Sequence, residues 1–300
     1  MKPGILVIYK EPGYTSHDVV AKLRHILHTR KIGHTGTLDP AAEGVLPVCI
    51  GSATKVCDLL TDHDKTYQAR LLLGVRTDTQ DTEGETLEER PVECTEAEVK
   101  EAIMSFVGDY DQIPPMYSAL KVNGQKLYDL ARAGKTVERQ PRRVHIDEII
   151  IDEIALPEVT MTVRCSKGTY IRTLCDDIGG KLGCGGAMKH LTRTRVGRFG
   201  LETAIRLSEA QAFADEGTVE DHILSTDSMF PELAGVKVRE GYEKYLENGN
   251  PMNSDWLELI DGDVLTDRLR VYEREGRFAA VYARKNNTDR YAPEKMFPAQ

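Results

Sequence analysis

The stretch "VHIDEIIIDEIALPEVTMTVRCSKGTYIRTL", residues 144–174, decides how the chain folds. Two runs rich in β-branched residues, VHIDEIIIDEIAL and VTMTVRC, follow each other at hairpin-like spacing, which favours antiparallel pairing. The second leads into a helix that stops at the glycine-rich KLGCGG (181–186). Working outward, KTYQARLLLG (65–74) alternates and places Tyr67, Ala69, Leu71 and Leu73 on one strand face. ILVIY (5–9) reads as a short buried strand. Thr15 with Asp18 forms a capping box for a helix carrying Val20, Leu23 and Leu27 and ended by Gly33. Thr95 with Glu98 caps another, with Val99, Ala102, Ile103 and Phe106 as its apolar stripe and Gly108 as its stop. Strands and helices alternate irregularly, so the fold class is α+β with a mixed, mainly antiparallel central sheet, not a doubly wound parallel one.

At 300 residues the chain can bury a substantial core, as one large domain or a large and a small one. The net charge of -9 hides its distribution: residues 1–75 carry +2, 76–111 carry -9, 112–200 carry +6 and 201–300 carry -8. Locally basic surface, not the total, is what a polyanionic partner meets. No run approaches a membrane-spanning length, and MKPGILVIYKEPGYTS lacks the pattern of a signal peptide. The six cysteines form no CxxC and no metal-like spacing with His, and read as reduced thiols of a cytoplasmic protein.

Residues 112–143 have no clean period and mix Pro, Gly, Tyr117, Tyr128, Leu127 and Leu130 with many Lys and Arg. A loop this long in a compact domain is either functional or disordered, and its aromatic and apolar anchors argue against plain disorder. A helix capped by Ser208 and Gln211 precedes a boundary near residue 230, after which VKV, DVLTDRLRVYE and RFAAVYARK suggest a small β-rich module.

The glycine-rich loop KIGHTGTLDPAAEGVLPV (31–48) is neither a P-loop nor a dinucleotide fingerprint. It offers one carboxylate, Asp39, in a backbone a flat ligand could approach closely. The ordinary alternative is that Asp39 caps the turn before Pro40. His34 could stack on a base or simply sit in a turn. Tyr67 has core packing as its default explanation. Tyr170 and Arg172 share a face if the backbone there is extended, and an arginine brought to a partly buried aspartate would keep it ionised.

HTGTLDPAAEGVLPV, KTYQARLLLG, IPPMYSALKVNGQKLYDLARAG and CSKGTYIRTL, in that order, resemble the TruB family of tRNA pseudouridine synthases from about Lys10 to Arg195. The resemblance implies the pseudouridine synthase fold over residues 1–231, with residues 112–143 as a mobile RNA-binding thumb, and a small PUA-like domain over 232–300. It implies isomerisation of uridine-55 in the T-loop (T-arm) of tRNA, with no cofactor, no metal and no membrane partner.

On the family pattern Asp39 falls on the nucleophile, Tyr67 on the tyrosine that stacks on the target base, and Arg172 on the arginine paired with the aspartate. Tyr170 and Leu191 fall on pocket-lining positions, and His34 on the histidine that occupies the space the base leaves. Lys10 falls on the lysine of an N-terminal motif that reads KEPGYTS here, with Glu11 where proline is usual. Guide-RNA-dependent relatives carry a fuller C-terminal domain and basic tails, so the expectation is a stand-alone monomeric enzyme without guide RNA. A tRNA-folding chaperone role could accompany it.

Overall fold

Gly4–Lys10 (β1) alternates between two apolar cores: Leu6 and Ile8 on one side, Ile5 and Val7 on the other. The computed structural model describes residues 1–297 apart from 119, 123, 262, 263 and 287. The helix Ser16–Ile26 (α1) begins at the expected box: Thr15 Oγ1 accepts from the Asp18 amide at 3.0 Å, and Asp18 Oδ2 accepts from the Thr15 amide at 2.8 Å. Such a cap is worth about 1 kcal/mol. The helix stops well before Gly33, because its apolar stripe is exhausted at Leu27 and His28 turns the chain at φ 48°. Gly33 instead belongs to Ile32–His34 (β2), which pairs antiparallel with Glu43–Ile50 (β3).

A short helix, Cys57–Thr61 (α2), leads to Lys65–Leu73 (β4), whose Tyr67, Ala69, Leu71 and Leu73 are buried on one face as the alternation requires. The acidic segment forms the hairpin Val75–Thr77 (β5) and Thr86–Glu89 (β6). Glu96–Met104 (α3) starts at the Thr95–Glu98 box, and Gly108–Gln112 (β7) follows. The irregular segment contains a two-stranded hairpin, Lys121–Val122 (β8) with Gln125–Lys126 (β9), and the helix Leu127–Arg132 (α4). Gln112, Arg142 and Arg143 lie in strands, so the loop region is shorter than 112–143; residues 119 and 123 lie outside the described residues.

Arg142–Ala155 (β10) and Glu158–Cys165 (β11) form the expected hairpin, and Ile171–Leu182 (α5) ends at Gly183 with φ 77°. Gly186–Val196 (β12) and Phe199–Gly200 (β13) precede Leu207–Asp215 (α6) and Leu224–Ser225 (β14). The N-cap of α6 is Arg206, whose amide donates to Glu209 at 2.6 Å, in place of the expected Ser208 and Gln211. Leu207 is buried, and that anchors the helix start two residues earlier than a Ser208 cap would place it.

These strands form a ten-stranded sheet in the order β14-β1-β3-β12-β4-β11-β10-β7, with β2 against β3 and β13 against β12. Every pairing is antiparallel except β12 with β3, which meets at only Thr192↔Glu43 and Arg193↔Gly44. The sheet is thus two antiparallel halves joined at a two-residue seam. Helices α1 and α6 cover one face of the first half, and α3 and α5 cover the second. Residues 234–296 form a second sheet from Ala234–Val238 (β15), Met252–Asn253 (β16), Leu257–Leu259 (β17), Arg268–Tyr272 (β18), Phe278–Arg284 (β19) and Arg290–Met296 (β20), with the helix Glu243–Glu247 (α7). Phe230, Val281 and Phe297 pack it against Ile5, Val7 and Val45 on the back of the first half. Among the described residues no helix is long and apolar enough to cross a membrane.

Candidate active site

The loop Thr35–Ala42 leaves the sheet at the seam, where β2 and β12 share one edge of β3. Its backbone is held along its length. The Thr35 amide donates to Pro47 at 3.2 Å, and the Leu38 amide donates to Ser16 Oγ at 2.9 Å. The Gly13 amide donates to the Pro40 carbonyl at 2.9 Å. Arg193 reaches the carbonyls of Gly36 and Thr37 at 3.4 and 3.5 Å. Lys10 Nζ donates to the carbonyls of Pro40 and Ala42 at 3.1 and 2.5 Å. A loop fixed in this way projects its carboxylate with little freedom left to lose on binding.

That carboxylate meets Arg172 in the first turn of α5. Arg172 Nε lies 3.0 Å from Asp39 Oδ2, and Nη2 donates to Oδ1 at 3.5 Å, a fork-to-fork approach. The arginine side chain is only 7 % exposed against 39 % for the aspartate, so the guanidinium is the wall and the carboxylate the accessible group. Asp39 therefore does not spend its side chain on capping the turn. Burial pushes its carboxyl above the usual range and nearby Asp81 adds to this, while Arg172 and Lys10 pull it back.

Arg172 is held in turn. It donates to the carbonyls of Tyr117 at 2.8 Å and Thr79 at 3.2 Å, and Nη1 lies 3.5 Å from Asp81 Oδ2. The other oxygen of Asp81 accepts from Thr79 Oγ1 at 2.6 Å and from the Glu83 amide at 3.1 Å. The acidic turn before β6 and the irregular basic segment thus both reach the site through one arginine. Sequence reasoning missed Asp81, because an aspartate in an acidic turn carries no periodic signal.

Tyr170 is the N-cap of α5, not part of an extended strand, so it neighbours Arg172 through the helix start and not by alternation. Its amide donates to Gln112 Oε1 at 2.8 Å, and burial raises its phenol. Tyr67 lies on β4 within reach of the Asp39 charge; burial raises its phenol, and Arg193 opposes that shift. Leu191 sits on β12 opposite Ala69 and packs with Leu38, Ala42 and Tyr67. His34 ends β2; burial depresses its imidazole, and Nδ1 has no hydrogen-bond partner among the described residues. Lys10 differs from expectation in its surroundings: it is fully buried beneath the loop, and all its hydrogen bonds go to backbone carbonyls, the third being Glu11 at 3.2 Å. Burial brings its ammonium down to about 8.

The arrangement places an accessible carboxylate, clamped by a buried cation, beside a phenol and a small apolar wall. Such a site can attack or stabilise an electron-poor carbon of a flat ring inserted against Tyr67.

Comparison with known proteins bears on that chemistry. Residues 24–171 match the TruB family pseudouridylate synthase N-terminal domain, and 172–231 match the tRNA pseudouridylate synthase B C-terminal domain. The chain is 51 % identical to tRNA pseudouridine synthase B of Lachnoclostridium phytofermentans, covering 98 % of this chain and 99 % of that one. With the same-named protein of Bacillus subtilis identity is 43 %, over 94 % and 93 %. Among solved structures it is similar to a chain of an H/ACA ribonucleoprotein bound to a substrate RNA containing 2′-deoxyuridine. That likeness has a TM-score of 0.72 at 25 % identity, covering 99 % of this chain and 85 % of that one. A Cbf5–Nop10–Gar1 complex gives 0.71 at 26 %, over 98 % and 85 %. The chain belongs to the TruB family of pseudouridylate synthases, isomerases that convert uridine in tRNA to pseudouridine.

Proposed function

We propose that the chain isomerises uridine-55 in the T-loop of tRNA, acting alone and without guide RNA or cofactor. The observation that carries this reading is the Asp39 carboxylate, fork-paired with buried Arg172 on a loop pinned along its backbone. The reaction breaks the C1′–N1 bond, turns the uracil and rejoins it through C5, with the C5 proton lost and N1 protonated. Atoms and electrons balance with no redox partner. Asp39 serves as the nucleophile on a flipped-out nucleotide, at C6 or at C1′. Tyr67 stacks on the base and is placed for proton transfer. Arg172 keeps Asp39 ionised and aimed. Leu191 and Tyr170 line the pocket, and His34 fills the space the base vacates, as a neutral ring suited to stacking. Lys10 acts from beneath, by fixing the loop, and not as a direct substrate contact.

The basic segment around β8, β9 and α4 serves as the thumb: its tie to the catalytic arginine at Tyr117 would couple RNA contact to the site. Residues 1–231 form the catalytic domain and 232–300 a PUA-like domain. The working form is a cytoplasmic monomer, and a tRNA-folding chaperone activity accompanies catalysis.

The test mixes purified protein with an unmodified tRNA transcript carrying tritium at C5 of uracil and follows tritium release. Release that maps to position 55 and stops with Asp39→Asn supports the reading; refolding of tRNA by Asp39→Asn protein reports the chaperone role separately. The fold likeness to H/ACA complexes favours a second reading, dependence on a guide RNA. Tight tRNA binding with no release until guide RNA is added would establish that one instead.

A further inference from the structure

Arg193 is a buried guanidinium, 1 % exposed, for which no carboxylate lies within ion-pair distance among the described residues. Burying a charge without a counter-ion is costly unless its donors are satisfied and the position is needed. Each of its three nitrogens donates once to a backbone carbonyl, which leaves two N–H groups for another acceptor. Nε donates to the Val45 carbonyl at 2.8 Å, and the two Nη atoms reach Thr37 and Gly36. These three carbonyls lie on β3 and on the first half of the Asp39 loop. Arg193 is also the residue through which β12 joins β3, opposite Gly44, and its partner on the other neighbour, β4, is Tyr67.

The backbone is arranged to admit it. Gly44 has φ 107°, and a Cβ there would lie 2.2 Å from the Arg193 carbonyl oxygen. The register of β12 against β4 slips at Lys189 and again at Thr194, so Leu191–Arg193 is bracketed by two bulges, which re-aim side chains. Both Leu191 and Arg193 then face the side on which Tyr67 and Ala69 are buried. Arg193 lies directly opposite Tyr67 across β12 and β4 on this buried face, and its guanidinium, which has no acceptor, can engage the phenol oxygen only as a donor. A phenol oxygen engaged in this way turns its own O–H away from the arginine.

We propose that Arg193 is a positioning residue of the isomerase: it locks the Tyr67 phenol as a hydrogen-bond donor toward the bound uridine and, through the Gly36 and Thr37 carbonyls, fixes Asp39 relative to that phenol. This rests on the roles given above to Asp39 and Tyr67. One cation thereby sets the distance between two groups that come from different halves of the sheet.

The test is a double-mutant cycle on Arg193→Lys and Tyr67→Phe, read as kcat and KM for tritium release from the tRNA transcript. Arg193→Lys keeps the charge but loses the planar fork. Its kcat should fall about 10- to 100-fold, the scale of a misplaced reacting group, with KM nearly unchanged. In the Tyr67→Phe background the same change should cost at most a few-fold. Independent, multiplicative losses would overturn the proposal, as would a change confined to KM. If Tyr67→Phe alone leaves kcat intact, the role given to Tyr67 fails, and that result is distinct from a failure of coupling.

A second measurement needs no variant of Arg193 to fold and no activity. In wild-type protein with labelled tyrosine and arginine, the guanidinium protons of Arg193 should exchange slowly and show a nuclear Overhauser contact to the Tyr67 ring, assigned by its loss in Tyr67→Phe. Rapidly exchanging protons with no such contact would overturn the proposal.

Discussion

Replacing Arg172 by leucine isolates what the ion pair does for Asp39. Two unit charges about 3 Å apart at an effective dielectric constant of about 20 attract by about 5 kcal/mol. Asp39 is 39 % exposed, so solvent screens part of that, and about 1.5–3 kcal/mol, the range for a hydrogen bond to a charged group, is the better expectation. The sign follows from the surroundings. Arg172 favours the ionised carboxylate, while burial and Asp81, which disfavour it, remain after the substitution. The acidic limb of the kcat profile should therefore move upward by about one to two pH units, since about 1.4 kcal/mol is one unit. Lost orientation should lower kcat by about 10- to 100-fold even on the plateau. Arg172→Lys keeps the charge, so its limb should move less while its plateau still drops. Single-turnover tritium release at saturating enzyme between pH 5 and 9 reads both quantities. An unmoved acidic limb in Arg172→Leu, with a plateau within about three-fold of wild type, would refute the assignment of Asp39 as a carboxylate held ionised by this pair.

Asp81→Asn removes a neighbouring negative charge, so the acidic limb should shift downward while the plateau falls because Arg172 loses an anchor; a pH series on that variant checks both. Lys10 should deprotonate as pH rises through about 8, which weakens its hold on the Pro40 and Ala42 carbonyls and gives kcat an alkaline fall there; Lys10→Arg should move that fall higher. Folding stability should show the opposite trend. The buried ammonium disfavours the folded state below pH 8, and that penalty is relieved between about 8 and 10.5, so urea midpoints should rise over that interval. Gly44→Ala should destabilise strongly, because both φ 107° and the 2.2 Å approach to the Arg193 carbonyl oppose a side chain; a melting curve like that of wild type would contradict this. Limited proteolysis should cut first between residues 113 and 141, and bound tRNA should slow that cleavage.

Much of this was readable in the sequence. The alternation in β4, the capping boxes of α1 and α3, and the β10–β11 hairpin are local signals, and each survives in the folded chain. Errors arose where tertiary pairing overrode a local cue, as when Gly33 joined β2 instead of ending α1, or where Tyr170 capped a helix instead of extending a strand. Asp81 and Arg193 were missed for different reasons. Asp81 acts only after the chain folds back from a turn. Arg193, by contrast, shares the parity of Leu191 on its strand, and a charge at a buried parity is a signal that could have been followed.

The two-residue seam between β3 and β12 bears on how the protein is made. Asp39 belongs to a half-sheet complete, except for β14, by residue 50, and Tyr67 to a half whose strands run to residue 165. The strand that joins them spans residues 186–196. A nascent chain emerging from the ribosome therefore carries two open β edges until that late strand inserts between them, and such edges invite mispairing. The candidate site cannot assemble before then, because the Asp39 loop and the strand that carries Tyr67 are not yet in one sheet. The last central strand thus acts as a checkpoint in biosynthesis: a ribosome-bound chain released from the tunnel only as far as residue 185 should lack a working centre, whereas one extended past 196 can assemble it.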